Sequence, residues 1–467
     1  MPPIELRGKR VLVVGAGRSG IAAAQLCARQ GAQVTITDRQ SADSLGQALA
    51  ALPAEVTREL GGHRLDSFRQ AQLIVLSPGV PPLPEVQAAR EAGVPVTGEL
   101  ELAAGFVRAP MVAITGTNGK STTTTLCGQM LAATGHPTFV GGNLGTPLSE
   151  AVGSPAAERG FAVVEVSSFQ LETAEKFRPR VGALLNITPD HLDRYPDVEA
   201  YAAAKARLFA AQGPEDFALL NADDPRVAAL AATIPKAEVV PFSTRMPGPP
   251  GPQVERAGWL EGDELCLRLP DGEERYSALA PGLVGRHNLE NALAASLSAR
   301  LLGATAEEVR TVLQTFEPLP HRMIEVGELD GVRYYDDSKG TNVGAVVAAL
   351  DGFPRPVVLI AGGRDKGGSY QPLAQSLLKV GRAVVVIGEA ADRIAAALAE
   401  AAPDLRVERA DSLDAAVIAA RRLARPGDAV VLSPACSSFD MFRNYAERGD
   451  AFRAAVDQLA TRPGGRT

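Results

Sequence analysis

The chain has 467 residues, 46% hydrophobic and 22% charged, and its 47 basic and 54 acidic side chains leave a net charge of −7. That length predicts about two to four domains, each able to bury a core without disulfide or metal staples, and the acidic balance argues against a general nucleic-acid-binding surface. Apolar runs fall short of the ~18–20 residues of a bilayer span, the N-terminus lacks a signal-peptide pattern, and Cys27, Cys127, Cys266 and Cys436 form no CxxC, which excludes a cysteine zinc site and points to a reducing, cytoplasmic setting.

In chain order, the apolar run Val11–Val14 predicts a strand, followed by a glycine turn and a helix to about Gln30. A second strand, Gln33–Thr37, ends at Asp38, and a third, Leu73–Leu76, leads into Ser77-Pro78-Gly79. Strands alternating with helices predict a parallel sheet covered on both faces. Thr97-Gly98 closes this unit. A second series has strands at Met111–Ile114, Phe161–Val166, Val181–Asn186 and Ala218–Asn221, and helices at Val198–Ala211 and Leu289–Leu302. Met246–Pro252 reads as a Pro/Gly-rich surface loop, and Glu264–Leu269 with Asp271-Gly272 as a hairpin. A third series begins near Pro318 and has strands at Val357–Ile360, Ala383–Ile387 and Ala429–Leu432. The fold class is therefore α/β. The predicted domains are 1–98, 99–317 and 318–467.

The strongest chemical signal is Gly116-Thr117-Asn118-Gly119-Lys120-Ser121-Thr122, directly after a strand. Glycines let backbone N–H groups turn toward phosphate oxygens, and a following helix adds its positive end. Lys120 supplies charge for the β/γ-phosphates and Ser121 a hydroxyl for Mg²⁺. The longer Walker spacing asks for glycine where Ile114 stands, so the loop is a short variant. Glu165, ending an apolar strand, is the carboxylate such a metal needs. Thr188-Pro189-Asp190-His191-Leu192-Asp193 follows another strand, so Asp190 and His191 belong at the same end of the sheet. Lys205, in an alanine-rich helix, reads by itself as an exposed lysine.

Gly15-Ala16-Gly17-Arg18-Ser19-Gly20, with Asp38 ending the next strand, forms a dinucleotide fingerprint. It predicts a nucleotide or other phosphate at this turn, NAD and a UDP-linked substrate being two candidates. Three polar strings end strands of the third series: Asp336–Asn342, Gly362–Gly367 and Ser433–Asp440. They are expected to converge on one crevice, with Cys436 as a small packed residue.

These strings together resemble the Mur ligases of peptidoglycan synthesis over essentially the whole chain. TGTNGKST, GGNLGTP (Gly141–Pro147), EVSSFQLE (Glu165–Glu172), HNLEN (His287–Asn291), PHR (Pro320–Arg322) and DDSKGTN occur in the family's order. SSFQLE, DHLDRYP and SPACSSFD favour the D-glutamate-adding branch, and the GxGxxG domain separates the chain from folylpolyglutamate synthases. The resemblance implies Rossmann-like N-terminal and C-terminal domains flanking a central phosphate-loop ATPase domain, and that Gly15, Ala16, Gly17, Arg18, Ser19, Asp38, Arg39, Ser77, Pro78 and Gly79 hold a UDP moiety. Asn143 and His191 would contact the muramoyl substrate or its metal. Asn291, Arg322 and Asp337 match ATP-contacting positions, beside the loop Gly116–Thr122. Lys339, Thr341, Lys366, Ser438, Phe439 and Tyr445 match the amino-acid side. It also raises Lys205 to a carbamylated lysine bridging Mg²⁺, with Ser121, Glu165 and His191 completing two metal sites, and makes Lys120, His191, Lys205 and Lys339 the candidates for the chemical step.

The implied activity is ATP-dependent amide formation between UDP-N-acetylmuramoyl-L-alanine and D-glutamate through an acyl phosphate, by a cytoplasmic monomer without nucleic-acid or membrane partners. A related ligase for another amino acid is the alternative. A nicotinamide-dependent oxidoreductase leaves TGTNGKST unexplained, and a non-catalytic scaffold leaves the acidic and lysine strings unexplained.

Overall fold

The computed structural model describes residues 3–192, 194–234, 236–246, 248–279, 283, 285–351 and 353–461. Asp193 of the Thr188–Asp193 string and Pro247 of the predicted Met246–Pro252 loop lie outside them.

Strands β1 (Arg10–Val14), β2 (Gln33–Asp38), β3 (Thr57–Leu60), β4 (Leu73–Leu76) and β5 (Val96–Gly98) form a parallel sheet in the order β3-β2-β1-β4-β5. The order reverses between β1 and β4, and the loops leaving these strands flank the switch point at which open α/β sheets receive ligands. Those loops are Gly15–Gly20 and Ser77–Gly79. They also touch: a Cβ at Gly15, whose φ is +96°, would lie 2.8 Å from Val80 Cγ2 and 2.9 Å from Ser77 Cβ. Only glycine fits both the backbone and the space.

A nine-stranded sheet follows. It comprises β6 (Met111–Thr115), β7 (Thr138–Gly142), β8 (Phe161–Glu165), β9 (Val181–Leu184), β10 (Phe217–Asn221), β11 (Glu238–Ser243), β12 (Ala257–Glu261), β13 (Glu264–Leu269) and β14 (Gly272–Ser277). Its order is β14-β13-β12-β11-β10-β9-β6-β8-β7, parallel except where β13 pairs antiparallel with β12 and β14. β6 is buried along its whole length between β8 and β9, as a central parallel strand must be. The loop after β6 therefore leaves a switch point with neighbouring strand ends on both sides.

These two sheets belong to one compact unit, Met1–Asn186 with Ala202–Ser277 and Glu290–Gln314. The helix Glu99–Ala104 joins them through two buried carboxylates. Glu101 Oε2 accepts the backbone N–H groups of Glu175, Lys176 and Phe177 at 2.5, 2.7 and 3.1 Å. Glu99 Oε1 accepts the Ser149 N–H at 2.7 Å.

The second unit comprises Ile187–Tyr201, Ala278–Leu289 and Thr315–Thr467. Its sheet is β15 (Ile324–Leu329), β16 (Val332–Asp336), β17 (Val357–Gly362), β18 (Gly381–Ile387), β19 (Arg406–Arg409) and β20 (Ala429–Leu432), in the order β15-β16-β20-β17-β18-β19. Only the edge strand β15 is antiparallel. Alternate residues of β17 enter different cores: Val358 and Ile360 on one face, Val357 and Leu359 on the other. Helices cover both faces, so the strand reads as a continuous apolar run.

The predicted strands and the hairpin are present with ends shifted by one or two residues. The predicted helix Val198–Ala211 is shorter: α-helix stops at Ala206 and a 3₁₀ turn, Arg207–Phe209, follows. Several further strands, including β3, β7, β11, β15 and β19, lack a strong apolar signature. β19 reads Arg-Val-Glu-Arg and is held at the sheet edge by its pairing with β18.

Candidate active site

The phosphate-type loop begins at Gly116 and feeds the helix Lys120–Ala133, whose N-terminal end lies at Lys120. Gly119 has φ +84°, and a Cβ there would come within 2.1 Å of Asn291 Oδ1. The loop is braced by Asn186, which motif reading passed over. Its carbonyl accepts the Thr117 N–H at 2.9 Å, its Oδ1 accepts the Asn118 N–H at 2.8 Å, and its Nδ2 donates to the Asn118 carbonyl at 3.1 Å. The Lys120 ammonium donates to the carbonyls of Gly116 and Thr117 at 3.0 and 2.8 Å. Asn291 joins the same site by accepting the Thr123 hydroxyl at 3.2 Å.

Glu165 ends β8 beside this loop and is 3% exposed. Ser121 Oγ donates to its Oε2 at 2.6 Å, and Asn143 Nδ2 to its Oε1 at 2.6 Å. Asn143 thus sits beside the carboxylate that ends β8. Directly after Glu165, the Ser-Ser-Phe-Gln string forms a capping box: Ser167 Oγ accepts the Gln170 N–H, and Gln170 Oε1 accepts the Ser167 N–H. Part of this signature therefore starts a helix.

Lys205 is not the exposed helix lysine its local context suggests. It is 1% exposed, and its ammonium donates to the Gly116 carbonyl at 2.8 Å and to Thr115 Oγ1 at 3.5 Å. A buried ammonium requires such partners. Among the described residues, no three His, Cys, Asp or Glu side chains gather into a metal cluster. The hydroxyl of Ser121 beside the carboxylate of Glu165 is nevertheless an oxygen donor pair. It suits a hard divalent cation that draws its other ligands from a nucleotide and water.

At the first-sheet crevice, Asp38 Oδ2 accepts the Ala16 N–H at 2.7 Å and Oδ1 the Gln40 N–H at 2.8 Å. The carboxylate thereby shapes the glycine turn. Arg18 leaves that turn toward the second sheet, 3.4 Å from Thr146 Oγ1 and 3.7 Å from Glu150. His63 contacts Thr37 Oγ1 through Nδ1 at 3.0 Å and experiences the charges of Asp38 and Arg39. It too was passed over, being a lone histidine in a polar stretch.

In the second unit the three polar strings do meet. Ser433 Oγ donates to Asp337 Oδ2 at 2.5 Å, the Ala435 N–H to the Gly340 carbonyl at 2.8 Å, and the Arg364 N–H to the Ser437 carbonyl at 2.9 Å. Burial drives the Asp337 pKa up to about 7, against the Ser433 hydrogen bond and the charge of Arg322. The Lys339 ammonium lies 3.8 Å from the centroid of the Tyr445 ring, a cation–π contact. Ser438 is buried and Phe439 exposed. Thr341 and Lys366 lie on the loops after β16 and β17. His191 and Asp190 also belong to this unit, in the segment Ile187–Tyr201.

One organising residue was not anticipated. Arg448, 1% exposed, donates to Ser338 Oγ and the carbonyls of Ser338 and Cys436. It ties the loop bearing Lys339 to the loop bearing Ser438. Burial lowers its pKa to about 10, so it remains charged at neutral pH. Cys436 is packed as expected, and burial raises its thiol pKa to about 11.

Comparison with known proteins matches residues 9–98 to the MurD-like N-terminal domain of Mur ligases, 114–299 to the Mur ligase middle domain, and 321–436 to the Mur ligase glutamate ligase domain. A UDP-N-acetylmuramoylalanine–D-glutamate ligase of Anaeromyxobacter dehalogenans is 52% identical over 465 residues, covering 98% of this chain and 99% of the relative. The enzyme of the same name from Geotalea daltonii is 47% identical, with coverage of 98% and 99%. Among solved structures, a MurF ligase from Thermotoga maritima in complex with ADP shares the fold with a TM-score of 0.60 at 16% identity, covering 98% of this chain and 97% of that one.

Proposed function

The chain belongs to the Mur ligase family, and from that premise we propose that it joins D-glutamate to UDP-N-acetylmuramoyl-L-alanine at the expense of ATP, in the cytoplasm, as a step of peptidoglycan synthesis. The observation that carries the ATP-dependent chemistry is the buried Ser121–Glu165 hydrogen bond at the root of the Gly116–Thr122 loop. The relatives named for this reaction support the choice of substrates.

In this reading the alanyl carboxylate attacks the γ-phosphate, giving an acyl phosphate and ADP. The amine of D-glutamate then attacks the acyl carbon and phosphate leaves. The first step is required because a carboxylate is a poor electrophile at neutral pH. The loop amides and Lys120 hold the phosphates, and Lys120 offsets charge developing on the transferred group. Lys120 must exchange the Gly116 and Thr117 carbonyls for phosphate oxygens, a gain in charge complementarity. Asn291, Arg322 and Asp337 complete the ATP contacts. Ser121, Glu165, His191 and a carbamylated Lys205 would hold Mg²⁺ at two sites. The ion supplies charge neutralisation at the phosphoryl oxygens.

Gly15–Ser19, Asp38, Arg39 and Ser77–Gly79 receive the UDP moiety at the first switch point, with Asn143 toward the muramoyl part. Lys339, Thr341, Lys366, Ser438, Phe439 and Tyr445 receive the amino acid. Lysines and a buried serine suit a dicarboxylate, and Lys339 favours the approach of the acyl phosphate. The domains follow the boundaries 1–98, 99–317 and 318–467, and the protein acts as a monomer.

The test is phosphate release from ATP with UDP-N-acetylmuramoyl-L-alanine and a panel of D- and L-amino acids. Release dependent on D-glutamate is expected. Release dependent on another amino acid would reassign the substrate, and amino-acid-independent release would defeat the ligase reading.

A further inference from the structure

Asp190 carries a carboxylate that is 8% exposed, in the segment Ile187–Tyr201 of the second unit. Its Oδ1 accepts the Lys366 ammonium at 3.3 Å and the His191 N–H at 3.0 Å. Its Oδ2 accepts Asn342 Nδ2 at 3.3 Å and lies 3.8 Å from His191 Nε2. Two of these donors come from different loops of the same sheet, Asn342 after β16 and Lys366 after β17.

The backbone beneath each donor is already anchored. Asn342 caps the helix Val343–Leu350, its Oδ1 accepting the Ala345 N–H at 2.8 Å. Beside Lys366, the Asp365 carboxylate accepts the Gly367 N–H at 3.1 Å, the Tyr370 hydroxyl at 3.0 Å and the Arg393 guanidinium. What stays adjustable is the four-carbon stem of Lys366, whose ammonium reaches the Asp190 carboxylate. The Lys366 side chain is 26% exposed. An ammonium has three donors, so an entering carboxylate can share Lys366 with Asp190 without breaking the pair.

We propose that Asp190 is a positioning residue for the amino-acid site, holding Lys366 ready so that the substrate carboxylate meets an ordered cation. The proposal rests on the reading of Lys366 as an amino-acid ligand. Ordering the lysine before binding lowers the entropy lost when the ligand arrives. The effect belongs in the Michaelis constant for the amino acid more than in kcat or in the constant for ATP.

The experiment uses the full-length chain, with phosphate release measured at saturating ATP and UDP-N-acetylmuramoyl-L-alanine while D-glutamate is varied. Asp190→Asn keeps the shape but turns an amide against one of its donors. Its KM for D-glutamate is expected to rise on the order of tenfold, with KM for ATP within about twofold of wild type. The double variant with Lys366→Ala should match Lys366→Ala alone, since the lever then has nothing to move. A merely structural role gives additive losses. If Asp190→Asn loses its cooperative melt, Asn342→Asp takes its place: it keeps the helix-capping oxygen but sets a like charge against Asp190, and the same KM rise is expected. An unchanged KM, or additivity in the double variant, overturns the positioning role while leaving the ligase reading intact. Wild-type phosphate release that ignores amino acids overturns both.

Discussion

The Lys205 ammonium donates a 2.8 Å hydrogen bond to the carbonyl of Gly116, the first glycine of the phosphate-type loop. A helix lysine is thereby buried at the root of that loop. An ammonium there opposes a cation, whereas a carbamate supplies oxygen ligands. If Lys205 carries the proposed carbamate, Lys205→Ala is nearly inactive and partly recovers on titration with acetate or formate, whose carboxylates take the carbamate's place. Phosphate release with chloride controls at constant salt reads this out. Full activity in the variant would show that Lys205 is dispensable, and loss without rescue would remove the support for carbamylation.

Lys120 reaches two carbonyls of its own loop and is the loop's only lysine. Lys120→Ala should lower kcat on the order of 10²–10³-fold, as for a removed transition-state donor, with an unchanged far-ultraviolet spectrum. Near-wild-type turnover would sink the phosphate-loop assignment.

Gly119→Ala must accommodate a positive φ and a Cβ pressed onto Asn291 Oδ1. A destabilisation of about 1–3 kcal/mol is expected from the strain, together with weaker ATP binding because Asn291 is displaced. Thermal melts and nucleotide titration check the two effects separately. An unshifted melt would mean the turn relaxes without strain.

Glu99 is 1% exposed, and burial raises its pKa, aided by Glu150, while the Ser149 N–H pulls the other way. The folded pKa lies above the unfolded one, so the ionised form opposes folding. That cost is absent below the unfolded pKa near 4.5 and grows as pH rises toward the folded value. Glu99→Gln keeps an acceptor for Ser149 and removes the charge. The variant should melt above wild type at pH 8, by about 1–3 kcal/mol, and the gap should close toward pH 4. A gap independent of pH would show that charge is not its cause.

Lys366→Ala and Thr341→Ala should raise KM for the amino acid more than KM for ATP, because both lie on loops of the third sheet rather than on the phosphate loop. The reverse pattern would refute their assignment.

Loop positions were legible wherever a polar string follows a strand directly. Gly116–Thr122 after β6, Glu165 at the end of β8 and the three strings after β16, β17 and β20 could be placed because parallel strands deliver their C-terminal loops to one edge. Arg448 and Asn186 were not legible. Arginine is ordinarily a surface residue, and nothing in the Tyr445–Thr461 helix pattern says that this one enters between two loops. An asparagine at a strand end reads as a turn residue, yet Asn186 braces the phosphate loop with three hydrogen bonds.

By itself the sequence determined the α/β class, the succession of strands in three series and the polar residues that each loop carries, because apolar periodicity and glycine spacing are local properties of the chain. Only the tertiary structure decided that Lys205 is buried against Gly116, that Asn143 joins Glu165, and that Asp190 meets Lys366 from 176 residues away. Those outcomes depend on which strand ends become neighbours. Strand order is a property of the whole sheet, and β6 acquires its neighbours β8 and β9 only when the sheet closes around it.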